Sequence, residues 1–188
     1  HDPDNHFQEA MDGAYKALSE LRSQGVVKAI GAGMNQWEME SRLAREGDFD
    51  CFLLAGRYTL LDQQALPEFL PLCQERNISV IIGGPYNSGI LASDLSESAT
   101  FNYRPAQREV LEQARRCKEV CDRHGVPLKA AALQFVFGHP AVTAAIPGPR
   151  TVSEAEENFQ MMPHSIPAAL WEELRHEGLL PAEAPSPA

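Results

Sequence analysis

Ile78-Ser79-Val80-Ile81-Ile82-Gly83 is apolar at every position except Ser79 and the closing glycine, and it stops at the pair Gly83-Gly84. A short run that is apolar throughout, rather than at alternate positions, suits a strand buried on both faces, and such strands belong to parallel sheets. Three further runs of this kind flank it: Val26 to Gly33, Cys51 to Gly56 and Val142 to Pro147. Each ends at glycine or proline, residues that mark where a strand gives way to a turn.

The stretches between the runs carry a different period. Phe7 to Gln24 places Ala10, Met11, Ala14, Leu18 and Leu21 at spacings of three and four, and Gly25 supplies a helix stop. Gln36 to Glu46 repeats the arrangement with Trp37 and Leu43, and Ala65 to Arg76 with Leu66, Phe69, Leu70 and Cys73. Strand and helix alternate, as in a parallel sheet covered by helices.

After the third strand comes a long polar stretch, Gly84 to Pro105, whose length predicts a mobile lid or a disordered segment. Helices follow with Val110, Leu111, Ala114, Cys117 and Cys121, then with Leu128, Ala131, Ala132, Phe135 and Val136. Another is expected to start near Thr151, whose hydroxyl is placed to cap it, and Ala168 to Glu177 forms a terminal helix. Residues 1–180 therefore form one domain, and the proline-punctuated 181–188 is expected to be a disordered tail.

The fold class is α/β. Four βα units plus terminal helices are about half of a (β/α)8 TIM barrel, which needs roughly 250 residues. A four-stranded doubly wound sheet is the alternative, but the GxGxxG turn expected after its first strand is missing. The chain starts at His1, not Met, and reads as the C-terminal half of a truncated barrel.

Composition narrows the function. The 188 residues are 44% hydrophobic and 22% charged, a core-forming balance. Lys plus Arg number 16 against 26 Asp plus Glu, and the net charge of -10 argues against nucleic acid or anionic lipid as partners. No apolar stretch approaches the roughly 20 residues that span a bilayer, so no membrane partner is expected. Cys51, Cys73, Cys117 and Cys121 form no CxxC pair, which points to buried free thiols in a reducing cytoplasm, with no metal site.

Parallel barrels keep their chemistry at the carboxyl ends of the strands, which here are Gly33 to Trp37, Gly56 to Asp62, Gly83 to Leu91 and Pro147 to Asn158. In Ile-Pro-Gly-Pro-Arg-Thr-Val-Ser-Glu-Ala-Glu-Glu-Asn, Ile146 to Asn158, a strand runs through a glycine turn into a helix start, and Arg150 adds charge. Free amides at such a start favour a phosphate; a purely structural turn fits the same residues.

The order of motifs resembles that of the aldo-keto reductase superfamily, barrel enzymes that bind a nicotinamide dinucleotide without a Rossmann fold. His-Asp-Pro-Asp from His1 resembles the end of the family's fourth strand, and Lys28 to Asn35 its fifth. Gly83 to Leu91 is similar to the cofactor loop after the seventh strand, and Ile146 to Asn158 to the adenosine end. Leu53 to Leu61 further resembles the branch that oxidises aldoses at C1, such as L-fucose and D-threo-aldose; pyridoxal dehydrogenases look similar there.

The resemblance implies an NAD(P)-dependent oxidoreductase that turns a cyclic aldose into a lactone by hydride transfer. A general carbonyl reductase, a pyridoxal dehydrogenase and a non-catalytic nicotinamide-sensing subunit are the alternatives. Of the family's Asp, Tyr, Lys and His tetrad only the histidine maps, onto His1, so these residues alone are expected to be catalytically silent and to self-associate. The implied cofactor contacts are Asn35 for the carboxamide, Gly83, Gly84, Pro85, Tyr86, Asn87 and Gly89 in the loop, and Gly148, Arg150, Thr151, Glu154, Glu157 and Asn158 at the adenosine end.

Trp37 and Arg57 are the substrate candidates, the indole because a flat ring covers the apolar face of a sugar. Tyr58 and Tyr86 either line the substrate or nicotinamide pocket or pack at the rim. This chain has Gly83, Ala55 and Gly33 where many relatives carry an aromatic residue, a glutamine and a serine. Where NADPH-preferring relatives carry an arginine stands Glu154, which repels a 2'-phosphate and accepts from free ribose hydroxyls; Arg150 is near enough in sequence to reach a phosphate and argues the other way, but Glu154 lies on the expected contact position, so NAD is expected to be preferred over NADP. The partner is a small sugar or carbonyl compound; the oligomeric state is left open.

Overall fold

A computed structural model of the chain describes residues 6–187, so His1 lies outside the described residues. Four strands, β1 (Gly31–Met34), β2 (Cys51–Ala55), β3 (Ser79–Gly83) and β6 (Val142–Ile146), make one parallel sheet in the order β1-β2-β3-β6. A helical segment precedes each strand. The first is α1 (Phe7–Ala10), a π-helical stretch Met11–Tyr15 and α2 (Lys16–Ser23); α3 (Trp37–Glu46) and α4 (Phe69–Glu75) follow β1 and β2. Between β3 and β6 lie α5 (Arg108–Arg123) and α6 (Leu128–Phe135), and α7 (Val152–Met161) and α8 (Ala168–His176) close the chain.

The strands are shorter than the apolar runs that announce them. Val26 is 66% exposed and lies outside β1. Gly25, at φ +71°, turns the chain out of α2, and the amides of Val26 and Val27 return to the Leu21 carbonyl. Pairing starts only where the Asp50 amide donates to Ile30 O at 2.9 Å and the Asp50 carboxylate accepts from the Ile30 amide at 2.7 Å. From there Gly31, Cys51 and Ser79 stand in register across three strands. A Cβ on Gly31 would come within 2.2 Å of the Cys51 carbonyl, so glycine is required there.

Burial on both faces is the second correction. Phe52, Leu54, Val80 and Ile82 are fully buried beneath the helices, whereas Cys51, Leu53, Ala55, Ser79 and Ile81 are only half-buried. Helices close one face of the sheet among the described residues, and strand side chains alternate between faces. The closed face carries the core, in which Phe52, Phe69, Phe135, Leu170 and Trp171 are essentially inaccessible.

Residues 84–105 are built rather than structureless. They contain a 3-10 turn, Ile90–Ala92, and an antiparallel hairpin of β4 (Thr100–Phe101) and β5 (Arg104–Pro105). Ile90, Leu91, Leu95 and Ala99 are buried, and Arg115 donates to the Leu95 carbonyl at 3.0 Å. The end of the chain also departs from the expected disordered tail. Ala184 is 3% exposed, Arg175 donates to its carbonyl at 3.1 Å, and Pro185 lies against Gly138. A short apolar side chain and one backbone acceptor dock a stretch whose prolines suggested none. No described helix is long and apolar enough to cross a membrane.

Candidate active site cleft

A cleft of about 790 Å³ opens at the carboxyl ends of β3 and β6. One wall is the loop and hairpin after β3, from Gly84 through Ser88, Ser93 and Ser98 to Tyr103; the other is the turn Ile146 to Arg150 with Lys129, Glu154, Glu157 and Asn158. The walls come from distant parts of the sequence because β3 and β6 are neighbours in the sheet: the Gly84 amide donates to Ile146 O at 3.0 Å.

Of the residues singled out in the sequence, Gly84, Tyr86, Gly89, Gly148, Arg150, Glu154, Glu157 and Asn158 line this cleft together. Gly84, Gly89 and Gly148 all have positive φ and nothing within 4 Å of where a Cβ would stand. Bare backbone therefore faces open space, the surface on which an extended phosphate-bearing ligand can lie close. Thr151 accepts from the Glu154 amide at 3.1 Å and caps α7, so its hydroxyl serves the helix.

Two ion pairs stand in the cleft lining, Arg150 with Glu154 and Lys129 with Glu157. Arg150 donates its amide, Nε and Nη2 to the Glu154 carboxylate, and the shortest of these bonds is 2.7 Å. Hydrogen bonding from the Arg150 side chain holds the Glu154 carboxyl below the usual range. Lys129 meets Glu157 at 2.6 Å and stands over the Tyr86 ring, 5.6 Å from its centre. The Tyr86 hydroxyl donates to Asn158 Oδ1 at 2.9 Å, and burial pushes its pKa up. Tyr86 is thus a wall, not a proton donor poised for neutral pH.

Several expected contacts stand elsewhere. Pro85 and Asn87 are buried behind the cleft wall. Asn87 spends its amide on the neighbouring loop: Oδ1 accepts from Thr59 Oγ1 at 2.5 Å and Nδ2 donates to Gly56 O at 3.3 Å. It locks the ends of β2 and β3 together and has little left for a ligand. Gly83 ends β3, and its carbonyl accepts from the Gly56 amide at 2.9 Å. Asn35 is exposed on the rim after β1, outside the cleft lining.

Tyr58 is corrected from pocket-lining to core. It is fully buried, 5.1 Å from the Phe135 ring and 6.1 Å from His139, and desolvation raises its pKa. Trp37 is half-buried against the core with its indole nitrogen enclosed, and it lies outside the cleft lining. Arg57 does stand at the end of β2, shared at 3.3 to 3.4 Å among Gly56 O, Asp62 and Asn102. Beneath the rim, Glu40 Oε1 accepts from the Met34 amide at 3.2 Å; burial pushes its carboxyl up to about 9, so it is neutral at pH 7.

Lys129, Ser88 and Tyr103 were not singled out as ligands from sequence. Lys129 sits two residues after Pro127, at the start of α6, and nothing local marks it as facing a strand turn two elements on. A richer hint was present in the serines of 88–98, which make the loop wall polar.

A parallel sheet with helices on one face and a glycine-lined cleft at its carboxyl edge defines part of a (β/α) barrel. The chain belongs to the Aldo/keto reductase family, whose model matches residues 1–176. It is 42% identical over 168 residues to the pyridoxal 4-dehydrogenase of Microbacterium luteolum, covering 89% of this chain and 49% of that protein. Identity to the D-threo-aldose 1-dehydrogenase of a Pseudomonas species is 37% over 183 residues, 96% of this chain and 56% of the relative. Among solved structures, the holo form of aldo-keto reductase AKR11C1 from Bacillus halodurans superposes with a TM-score of 0.71 at 24% identity, over 93% of this chain and 57% of that one. The chain thus spans about half the length of these relatives.

Proposed function

We propose that the cleft is the dinucleotide site of an NAD(P)-dependent oxidoreductase acting on a small carbonyl or hydroxyl compound, with an aldose oxidised at C1 as the first substrate class. The observation that carries this reading is that the two glycine turns, Gly84 to Gly89 and Gly148, line one cavity of about 790 Å³ with their Cβ positions open. Their open Cβ positions and the capped start of α7 fit a pyrophosphate and its sugars. When bound, the nicotinamide ring exchanges a hydride with the substrate carbon.

The chain's own residues hold and orient. Gly84, Gly89 and Gly148 admit the phosphates to backbone contact; Glu157 and Asn158 face the adenosine end, with Asn158 fixed by Tyr86. Asn87 and Thr59 keep the β2 and β3 rims in one register, and Glu40 braces the strand end that carries Asn35. His1 remains the proposed group that hydrogen-bonds the reacting oxygen.

The occupation of Arg150 by Glu154 supports NAD over NADP, because a 2'-phosphate must compete with a carboxylate already in place. The similarity to a pyridoxal 4-dehydrogenase supports a second substrate class, an aromatic aldehyde or alcohol. Fluorescence titration of NADH, with NAD and NADP as competitors, tests the site. Saturable binding displaced by NAD is expected; no saturable binding up to millimolar dinucleotide would overturn the reading.

A further inference from the structure

The hairpin between β4 and β5 turns at Asn102 and Tyr103, with φ +51° and +61°. Two successive left-handed residues make the two-residue turn that asparagine and glycine fill readily, and an aromatic side chain there is an outlier. Tyr103 is also 94% exposed, the most exposed of the large apolar or aromatic side chains described. Neither turn geometry nor packing asks for a tyrosine at this position. A strained residue that no packing explains is a pointer to a binding role.

The hairpin is also fastened in place. The Tyr103 amide donates to Ser88 Oγ at 3.0 Å, Thr100 Oγ1 donates to the Ser88 carbonyl at 2.9 Å, and Asn102 Oδ1 accepts from Arg57 at 3.3 Å. The ring therefore stands on a tethered support at the edge of the cleft, whose lining includes it. The other tyrosine in that lining, Tyr86, is 6% exposed and engaged with Asn158. Gly84, Gly89 and Gly148 in the same lining bring no side chain. The cleft has one accessible aromatic face among its described lining, and it comes from the hairpin.

We propose that Tyr103 covers the nicotinamide ring of the dinucleotide, an inference that rests on the dinucleotide reading of the cleft. Its anchors choose that ring over the adenine. Ser88 and Arg57 follow β3 and β2, whereas the adenosine end is assigned to α7, which follows β6. An offset stack between a phenol and a nicotinamide needs no hydroxyl, only the ring.

NADH and ADP-ribose, which lacks the nicotinamide ring, are titrated against the unchanged chain, Tyr103→Phe and Tyr103→Gly. Tyr103→Gly is expected to weaken NADH by about five-fold, the size of one aromatic stack, with ADP-ribose binding unchanged. Its thermal midpoint should hold or rise, since glycine accepts a positive φ without strain. Tyr103→Phe should bind NADH as the unchanged chain does. Undiminished NADH binding by Tyr103→Gly overturns the proposal and leaves the cleft assignment standing. So does equal loss of both ligands, or a loss accompanied by a lowered midpoint, because the residue then serves the hairpin or the shared ADP-ribose. An unchanged chain that binds neither ligand overturns the cleft assignment and this proposal with it.

Discussion

Arg150 and Glu154 clasp each other across the first turn of α7, three Arg150 nitrogens reaching one carboxylate at 2.7 to 3.1 Å. Read separately in the sequence, they pull cofactor choice in opposite directions; joined, they form one nearly neutral unit. Both side chains stand at the surface, so the clasp matters less for stability than for which ligand meets a free guanidinium.

Glu154→Gln should release Arg150 and shift the ratio of NADP to NAD affinity upward by about ten-fold, the size of one charge-assisted contact. Glu154→Arg should move it further. Parallel titrations with both dinucleotides check this; a ratio unmoved by either substitution means that α7 does not read the 2' position.

Glu40 makes stability depend on pH. The folded state keeps its proton up to about 9, while the unfolded chain releases it near the ordinary 4.5. The folded state is therefore favoured most below 4.5, and its advantage declines as pH rises from 4.5 toward 9. Glu40→Gln keeps an acceptor for the Met34 amide without the ionisation. It should be more stable than the unchanged chain at pH 8, by on the order of a few kcal/mol, and nearly equal to it at pH 4. Urea melts at the two values decide the point.

Asn87→Ala should cost about 2 to 3 kcal/mol in denaturant melts, since it leaves the Thr59 hydroxyl without its acceptor, removes one of two donors to the Gly56 carbonyl and puts alanine at φ +46°. Thr59→Val should lose about 1 to 2 kcal/mol by removing the same bond from the other side, together with the acceptor of the Leu61 and Asp62 amides. The double variant should lose less than the sum, because the two share one contact.

Ending the chain after Leu180 should lower the thermal midpoint by several degrees, roughly the loss of 1 kcal/mol or more. Ala184 and Pro185 close over Arg175 and Gly138, so this stretch contributes packing. An unchanged midpoint would mark the segment as dispensable.

The alternation of apolar runs such as Val26 to Gly33 with helices was legible because a parallel strand buries at least one face under helices, and Phe52, Leu54, Val80 and Ile82 are the residues that do so. Strand limits were less so: Val26 is as apolar as Val80, and only the Gly25 turn decides that it lies outside the sheet. The cleft glycines were readable because a positive φ is written locally. Tyr58, Asn87 and Trp37 were not, since a polar or aromatic residue after a strand looks the same whether its partner is a ligand or a side chain dozens of residues away. The Asn87 bond to Thr59 spans 28 positions, and no local pattern encodes it.

The anchoring of residues 84–105 sets how a bound molecule would leave. Swinging the whole segment aside would uncover Ile90, Leu91 and Leu95, at roughly 1.5 to 3 kcal/mol for each side chain. Residues 102–104 are exposed, and the hairpin is tied by two hydrogen bonds to Ser88 and one to Arg57. Escape therefore runs past the hairpin tip, and the residence time of an occupant is governed by a few surface bonds rather than by the stability of the fold. Affinity and departure rate become separately adjustable, one through the glycine turns and the other through Ser88 and Asn102.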